Sequence, residues 1–269
     1  MVKSLVNKVL FRPPHCEGYR FQNQPVRLRT SEGNTIAALF LKRSSKTTVT
    51  ILFSHENGED LNTSYRFLRK LSSCLKVNVM AYDYSGYGES TGSPSEKNCY
   101  ADIRAVFDYL TTEKKIPPEH IVLYGRSLGG GPACYLAQQL SAQGQHIAGL
   151  ILHATFTSVY RIVMPDPGFT VLGDMFPNID RIKSIDCPIM IAHGEADEIV
   201  PFKHGCELRD AIQNRLKTVF FSRPEMYHNF VDSAIQHDLM EAMNDFMDYH
   251  VLARRLWMKP AVARLHRLK

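Results

Sequence analysis

Three residues far apart in the chain have settings that together could do chemistry. Ser127 is the centre of Gly125-Arg-Ser-Leu-Gly129, which follows the apolar run 121–124. After it, Cys134, Leu136, Ala137 and Leu140 recur at helical spacing. A serine where a strand turns sharply into a helix is pushed into a strained backbone conformation and presents its hydroxyl as a nucleophile. The flanking glycines are required because a side chain at Gly125 or Gly129 would meet the neighbouring strand or helix. The helix start adds unpaired N–H groups and a positive dipole end, which favour a developing oxyanion.

A serine hydroxyl needs a base, and the base needs a carboxylate to orient it. Downstream, the apolar run 189–193 leads into Gly194-Glu-Ala-Asp-Glu-Ile-Val-Pro201, placing Asp197 just past a strand end. Glu195 and Glu198 are alternative acids in the same loop. His228 lies in Arg223-Pro-Glu-Met-Tyr-His-Asn-Phe230, between the strand ending at Phe221 and the last helical pattern. His228 and His237 both follow Asp197 after a further strand, and His237 sits inside the helical pattern. The order serine, acid, histidine is that of the α/β-hydrolase triad. The expected roles are Ser127 nucleophile, His228 base and Asp197 orienting acid. The expected oxyanion donors are the N–H of Leu128 and one N–H of the 54–59 loop, best placed at Asn57.

The elements that must position these residues follow from periodicity. Runs at 25–29 and 36–41, joined by Ser31-Glu-Gly-Asn34, predict a hairpin. Continuous apolar runs at 49–53, 77–82, 121–124, 148–153, 189–193 and 218–221 predict strands covered on both faces. Helical patterns fall at 61–75, after Ser95-Glu96, after the elbow, and at 230–251. Strands alternating with helices imply a mainly parallel sheet with helices on both faces, as one domain over 1–250. Residues 154–180 break the rhythm with Pro165, Pro167 and Pro177. The apolar Val159, Ile162, Val163, Met164, Phe169 and Phe176 look exposed there, and the stretch is expected to pass over the active site like a lid.

Composition narrows the class. At 44% hydrophobic and 22% charged residues over 269, the chain is that of a globular protein with a large core. No apolar run reaches membrane-spanning length, and the apolar stretch in the first residues is too short and interrupted for a signal peptide to be expected. Cys16, Cys74, Cys99, Cys134, Cys187 and Cys206 show no C-x-x-C pair and read as free thiols of a reducing, intracellular, cytoplasmic setting. The net charge of +5 is an end effect. From His250 onward come Arg254, Arg255, Lys259, Arg264, Arg267 and Lys269 with no acid, so the rest is nearly neutral. Residues 251–269 thus form a basic tail, and its Leu, Met and single Trp residues suit an anionic membrane surface. No zinc spacing, P-loop or dinucleotide fingerprint is present, so neither a metal nor an organic cofactor is expected, and no specific nucleic acid.

With these motifs in view, the chain resembles the α/β-hydrolase superfamily over residues 20–250. It is most similar to the α/β-hydrolase-domain-17 depalmitoylases and their bud-emergence (BEM-type) relatives. The resemblance rests on Leu52-Phe-Ser-His55 with Asn57, Asp83-Tyr-Ser-Gly-Tyr-Gly88 with Ser90, Gly92-Ser-Pro-Ser-Glu96 and the elbow. It rests further on Phe176-Pro-Asn178, the 188–197 stretch with His193-Gly194, and His228-Asn229. It implies a serine hydrolase acting on esters or thioesters, including palmitoyl-cysteine on proteins. Two further readings share the elbow: a serine aminopeptidase, and a scaffold that keeps the fold without turnover. Three departures stand out. Glu56 occupies a place that is usually glycine and would bear on the oxyanion donors. Tyr227 replaces a small residue before the histidine. Only Cys16 lies near the start, where the depalmitoylases carry a lipidated cysteine cluster.

Overall fold

The strands are unbroken runs of Ile, Val, Leu, Phe and Met, the composition of a sheet with helices on both faces. In the computed structural model, which describes residues 10–44, 47–164, 169, 171–213, 217–229 and 233–252, these runs form one eight-stranded sheet. Its strands are β1 Val26–Arg29, β2 Thr35–Leu41, β3 Thr50–Ser54, β4 Asn78–Tyr82, β5 Ile121–Arg126, β6 Gly149–His153, β7 Ile189–Gly194 and β8 Thr218–Arg223. They lie in the order β1-β2-β4-β3-β5-β6-β7-β8. The hairpin strand β2 runs antiparallel to β1 and β4, and β3 to β8 are parallel.

Alternate residues of each central strand feed two cores. Leu52, Leu123, Leu152 and Ile191 pack on one side, with Ile103 and Phe107 of α2 (Glu96–Asp108) and Leu136 and Leu140 of α3 (Gly130–Ala142). Ile51, Phe53, Tyr124 and Met190 pack on the other. There they meet Leu68 and Leu71 of α1 (Leu61–Leu75) and Met243 and Phe246 of the closing helix (Ser233–Phe246). Asp60 caps α1 in a reciprocal box with Thr63, and Ser95 caps α2 by accepting from the Asn98 N–H at 3.1 Å.

The excursion after β6 contains two short helices, Val159–Val163 and Asn178–Arg181. Met164 and Phe169 are exposed as expected. Phe176 is not: it is wholly buried, edge-on to Phe11, Tyr100 and Phe156, with its N–H bonded to Glu96 Oε1 at 2.7 Å. Its ring fills the space that a side chain at Gly131 would take, so it anchors the excursion to the core. Pro165, Pro167, the side chain of Val163, Phe230 and the basic stretch 253–269 lie outside the described residues. A helix at Lys203–Ala211, which the sequence pattern does not announce, follows β7. Among the described residues no helix is long and apolar enough to cross a membrane.

Candidate active site

The site is assembled at the carboxyl ends of the parallel strands, from the loops after β3, β5, β7 and β8. In the register between β3 and β5, Ser54 lies beside Gly125, which brings the turn of the elbow against the end of β3. A Cβ on Gly125 would come within 2.3 Å of the Gly129 carbonyl oxygen, and one on Gly129 within 2.1 Å of the Ser54 carbonyl oxygen. Only with both glycines can the turn close. Ser127 takes the strain, with φ +49°, a left-handed conformation costing a non-glycine residue about 1–3 kcal/mol. Thr155 holds it there by donating from Oγ1 to the Ser127 carbonyl at 2.8 Å.

The three residues singled out from the sequence meet. His228 Nε2 lies 3.0 Å from Ser127 Oγ, and His228 Nδ1 lies 2.8 Å from Asp197 Oδ2. All three are buried. The other carboxylate oxygen of Asp197 accepts the N–H groups of Ile199 and Val200 at 3.0 and 2.7 Å, which fixes the side chain. Burial disfavours the charge on Asp197. Hydrogen bonds from His193 and His228, the nearby His228 charge and the Val200 N–H outweigh it and hold the carboxyl well below the usual carboxylate range. The alternatives fall away on position. Glu195 is exposed and accepts from Ser222 Oγ; Glu198 is exposed and accepts the His228 N–H at 3.2 Å. His237 is exposed on the closing helix.

A cavity of about 700 Å³ opens on the serine, within the size range of small-molecule sites. Asn57, Leu128 and His228 line it beside Ser127, so the residues expected to supply oxyanion donors share its wall with the nucleophile. Its remaining surface is largely apolar, from Leu10, Phe156, Val159, Ile162, Ile199 and Val200. Three of these, Phe156, Val159 and Ile162, come from the excursion after β6, which therefore contributes wall. Leu10 and Arg12 come from chain ahead of β1. The Asn57 side chain secures that strap, donating to the Leu10 carbonyl at 2.6 Å and accepting the Arg12 N–H at 2.9 Å.

Several participants are not evident from sequence. His193 lies 3.4 Å from Asp197 Oδ2 and 2.8 Å from the Val200 carbonyl, a second imidazole beside the acid. Arg126 pairs with both Glu56 and Glu59 at 3.2 Å. His55 Nε2 lies 3.5 Å from Asp83 Oδ1 in a fully buried pair. His55, Asp83 and His193 stand in motifs that carry the family resemblance, without a partner being indicated for any of them, and Glu56 is marked as an acid where the resemblance expects glycine. The free cysteines agree with the absence of C-x-x-C spacing, and Cys99, Cys134 and Cys187 are buried.

With this geometry in place, the comparisons with known proteins fall into line. A family description of the alpha/beta hydrolase fold matches residues 49–176. Alpha/beta hydrolase domain-containing protein 17B of Xenopus tropicalis is 39% identical over 221 residues, covering 80% of this chain and 75% of that protein. The Homo sapiens protein 17B is 38% identical with the same coverage. Protein 17C of Xenopus tropicalis is 35% identical over 225 residues, covering 84% of this chain and 70% of that one. Among solved structures, the Pyrococcus furiosus esterase Pf2001 superposes with a TM-score of 0.70 at 14% identity, over 90% of this chain and 99% of that chain. Est1E from Butyrivibrio proteoclasticus, solved with ferulic acid bound, gives 0.67 at 17% identity, over 84% and 99%. The solved structures speak to the fold. The curated relatives speak to the family: this chain belongs to the α/β-hydrolase domain-containing protein 17 family of hydrolases.

Proposed function

We propose that the protein cleaves carboxylic esters or acyl-thioesters, including palmitoyl-cysteine on proteins, through Ser127, His228 and Asp197. One observation carries this reading. An unbroken hydrogen-bonded line runs from Ser127 Oγ through His228 to Asp197 at 3.0 and 2.8 Å, and it ends at an apolar cavity. Ser127 Oγ attacks the acyl carbon while His228 Nε2 takes its proton. The carbonyl oxygen becomes an oxyanion, which accepts from the N–H groups of Leu128 and Asn57; one such donor is worth on the order of 10²–10³ in rate. Collapse of the tetrahedral species breaks the bond to the leaving thiol or alcohol, which takes the proton back from His228. Water then enters, loses a proton to His228, and releases the acid from Ser127 by the same route. Asp197 stays ionised throughout, fixing the imidazole tautomer and stabilising its charged form.

The two alternatives lose their footing at Glu56. A peptidase selecting a free amino end needs an acid available to the substrate, whereas the Glu56 carboxylate is already met by Arg126. A scaffold reading leans on the same acid as an impediment, and the same ion pair offsets it. An apolar cavity in place of an acidic one favours an acyl chain.

The test is covalent labelling with a fluorophosphonate probe beside a substrate panel. The panel holds p-nitrophenyl esters of rising chain length, a palmitoyl-thioester and an amino-acyl amide. Wild type is expected to label and to prefer esters and thioesters over the amide, and Ser127→Ala to lose labelling and at least about 10⁴-fold in kcat. Labelling that survives Ser127→Ala, or a folded wild type that never labels, overturns the assignment. The cytoplasmic setting and the basic tail belong to the same proposal. Truncation after His250 is expected to keep esterase activity and lose binding to anionic liposomes; equal binding by both proteins removes the tail's role.

A further inference from the structure

The residue before the nucleophile is an arginine with an unusual set of partners. Arg126 Nη2 lies 3.2 Å from Glu56 Oε2, and Nη1 lies 3.2 Å from Glu59 Oε1. Nη2 also donates to the His228 carbonyl at 3.4 Å. All three charged side chains are largely buried, at 14%, 15% and 17% exposure. Glu56 and Glu59 belong to the loop that carries Asn57, and the carbonyl belongs to the loop that carries the base. One guanidinium therefore touches the nucleophile's turn, the oxyanion-side loop and the histidine loop together.

Glu56 makes that contact consequential. It lines the cavity beside Asn57 and Leu128. When the Asn229 amide nitrogen faces Glu56, it lies 3.1 and 3.2 Å from the two carboxylate oxygens, a second link between the same two loops. A carboxylate in this wall sits close to where a substrate carbonyl would gain negative charge. In a partly buried setting, charges separated by a few ångströms interact far more strongly than in water. Without a cation, Glu56 and Glu59 would oppose the oxyanion and attract a proton to the imidazole. Burial, with the Glu59 charge beside it, leaves the Glu56 carboxyl above the usual carboxylate range even though Arg126, and to a lesser degree His228 and His55, pull it down.

We propose that Glu56 and Arg126 are a compensated pair, in which Arg126 is a positioning residue that cancels the Glu56 charge beside the reacting carbonyl and holds three loops at proton-transfer distance. The inference rests on the reading of Ser127, His228 and Asp197 as the reacting set. It goes beyond that reading by assigning a role to the elbow position just before the serine and to the acid that stands where glycine is usual. Its signature is rescue. Removing the cation alone harms the site; removing the acid as well restores it.

The experiment compares wild type, R126K, R126Q, E56Q and R126Q/E56Q. The first readout is kcat and KM on a short p-nitrophenyl ester. The second is the titration of the His228 imidazole by NMR, assigned with His228→Gln. Asp197 meets that imidazole directly, and the charges of Glu56 and the buried His153 act on it; Glu198 accepts the His228 N–H, Arg126 bonds the His228 carbonyl, and Glu59 and His193 stand one contact further out, on Arg126 and on Asp197.

R126Q is expected to lose about 10²-fold in kcat with KM changed only a few-fold, comparable to losing one oxyanion donor. Its His228 titration moves upward, because a cation has left and two carboxylates remain. R126Q/E56Q is expected to recover to within about ten-fold of wild type, with the titration returned toward the wild-type value. R126K keeps the charge without the fork and falls between wild type and R126Q, which guards against an R126Q that does not fold. A double variant no better than R126Q, or an R126Q that lowers thermal stability but moves neither kcat nor the titration, overturns the compensated pair. Wild type inert to esters with a titration that moves as stated leaves the pair standing and fells the hydrolase reading. An inert wild type with an unmoved titration fells both.

Discussion

Two of the buried histidine–aspartate contacts among the described residues, His228–Asp197 and His55–Asp83, are built on one plan, and of these two only the first reaches a serine hydroxyl. His228 and Asp197 come from the loops after the adjacent strands β8 and β7; His55 and Asp83 come from those after the adjacent strands β3 and β4. In each, an imidazole meets a carboxylate at the carboxyl edge of the sheet. They differ in the second ring nitrogen. His228 Nε2 turns to Ser127 Oγ. His55 Nδ1 turns to the Glu56 carbonyl at 2.7 Å, and its ring packs against Tyr84 and Tyr87. Asp83 is equally occupied: it accepts the Leu61 N–H at 2.8 Å and the Tyr19 hydroxyl. The second pair therefore braces the loop that carries Glu56 and Asn57, while the first is the one that would move protons in the proposed reaction. A histidine and an aspartate become a catalytic couple only where the remaining nitrogen meets a reactive group in open space.

The largest effect expected from this contrast is chemical. Asp197→Asn should lower kcat on the order of 10⁴-fold through loss of the productive tautomer. Asp83→Asn should leave kcat within about ten-fold while lowering the thermal midpoint by roughly 10 °C, because breaking a buried ion pair costs about 3–5 kcal/mol. Ester turnover and calorimetry on the two variants decide it. Matching losses of kcat would erase the distinction between the pairs.

How much of this was legible beforehand depends on what local pattern can encode. The central strands and Ser127 are written locally, as unbroken apolar runs and as glycines that permit a tight turn. Asp197 and His228 emerge from chain order once the fold is suspected. His55 and Asp83 each stand in a motif that carries the family resemblance, but their pairing is not legible, because strands β3 and β4 are neighbours only in the assembled sheet. Arg126 is hidden for the same reason: its partner Glu59 lies 67 residues away. The proline-rich context of Phe176 predicts exposure, whereas the space over Gly131 takes up the ring. The helix Lys203–Ala211 carries polar residues and Gly205, which blur its period.

A smaller effect sharpens the comparison through pH. Burial disfavours a charged His55. The hydrogen bond and charge of Asp83, helped by the Glu56 carbonyl, outweigh it and raise the imidazole above its ordinary value. A raised folded pKa means the folded state holds the proton more tightly. That stability is fully present below about pH 6.5 and is lost as pH rises through the folded value. Asp197 is the opposite case. Its depressed folded pKa gives stability that is present above about pH 3.9 and lost as pH falls through the folded value. The midpoint gap between wild type and His55→Gln should therefore narrow toward alkaline pH, and that between wild type and Asp197→Asn toward strong acid. Thermal melts across the pH range would show it, and gaps that run in the same direction would contradict the assignment of charge.

The grip of Asn57 on Leu10 and Arg12 has a practical corollary. Part of the vessel that would receive an acyl group is made by residues laid down before the sheet starts, and they are gripped by the side chain of an asparagine that itself lines that vessel. Trimming the amino end past Arg12 would not be neutral housekeeping. It would unseat a panel of the container and loosen the hinge on which that panel hangs, so shortened versions would handle bulky acyl groups differently while the sheet beneath them remained intact.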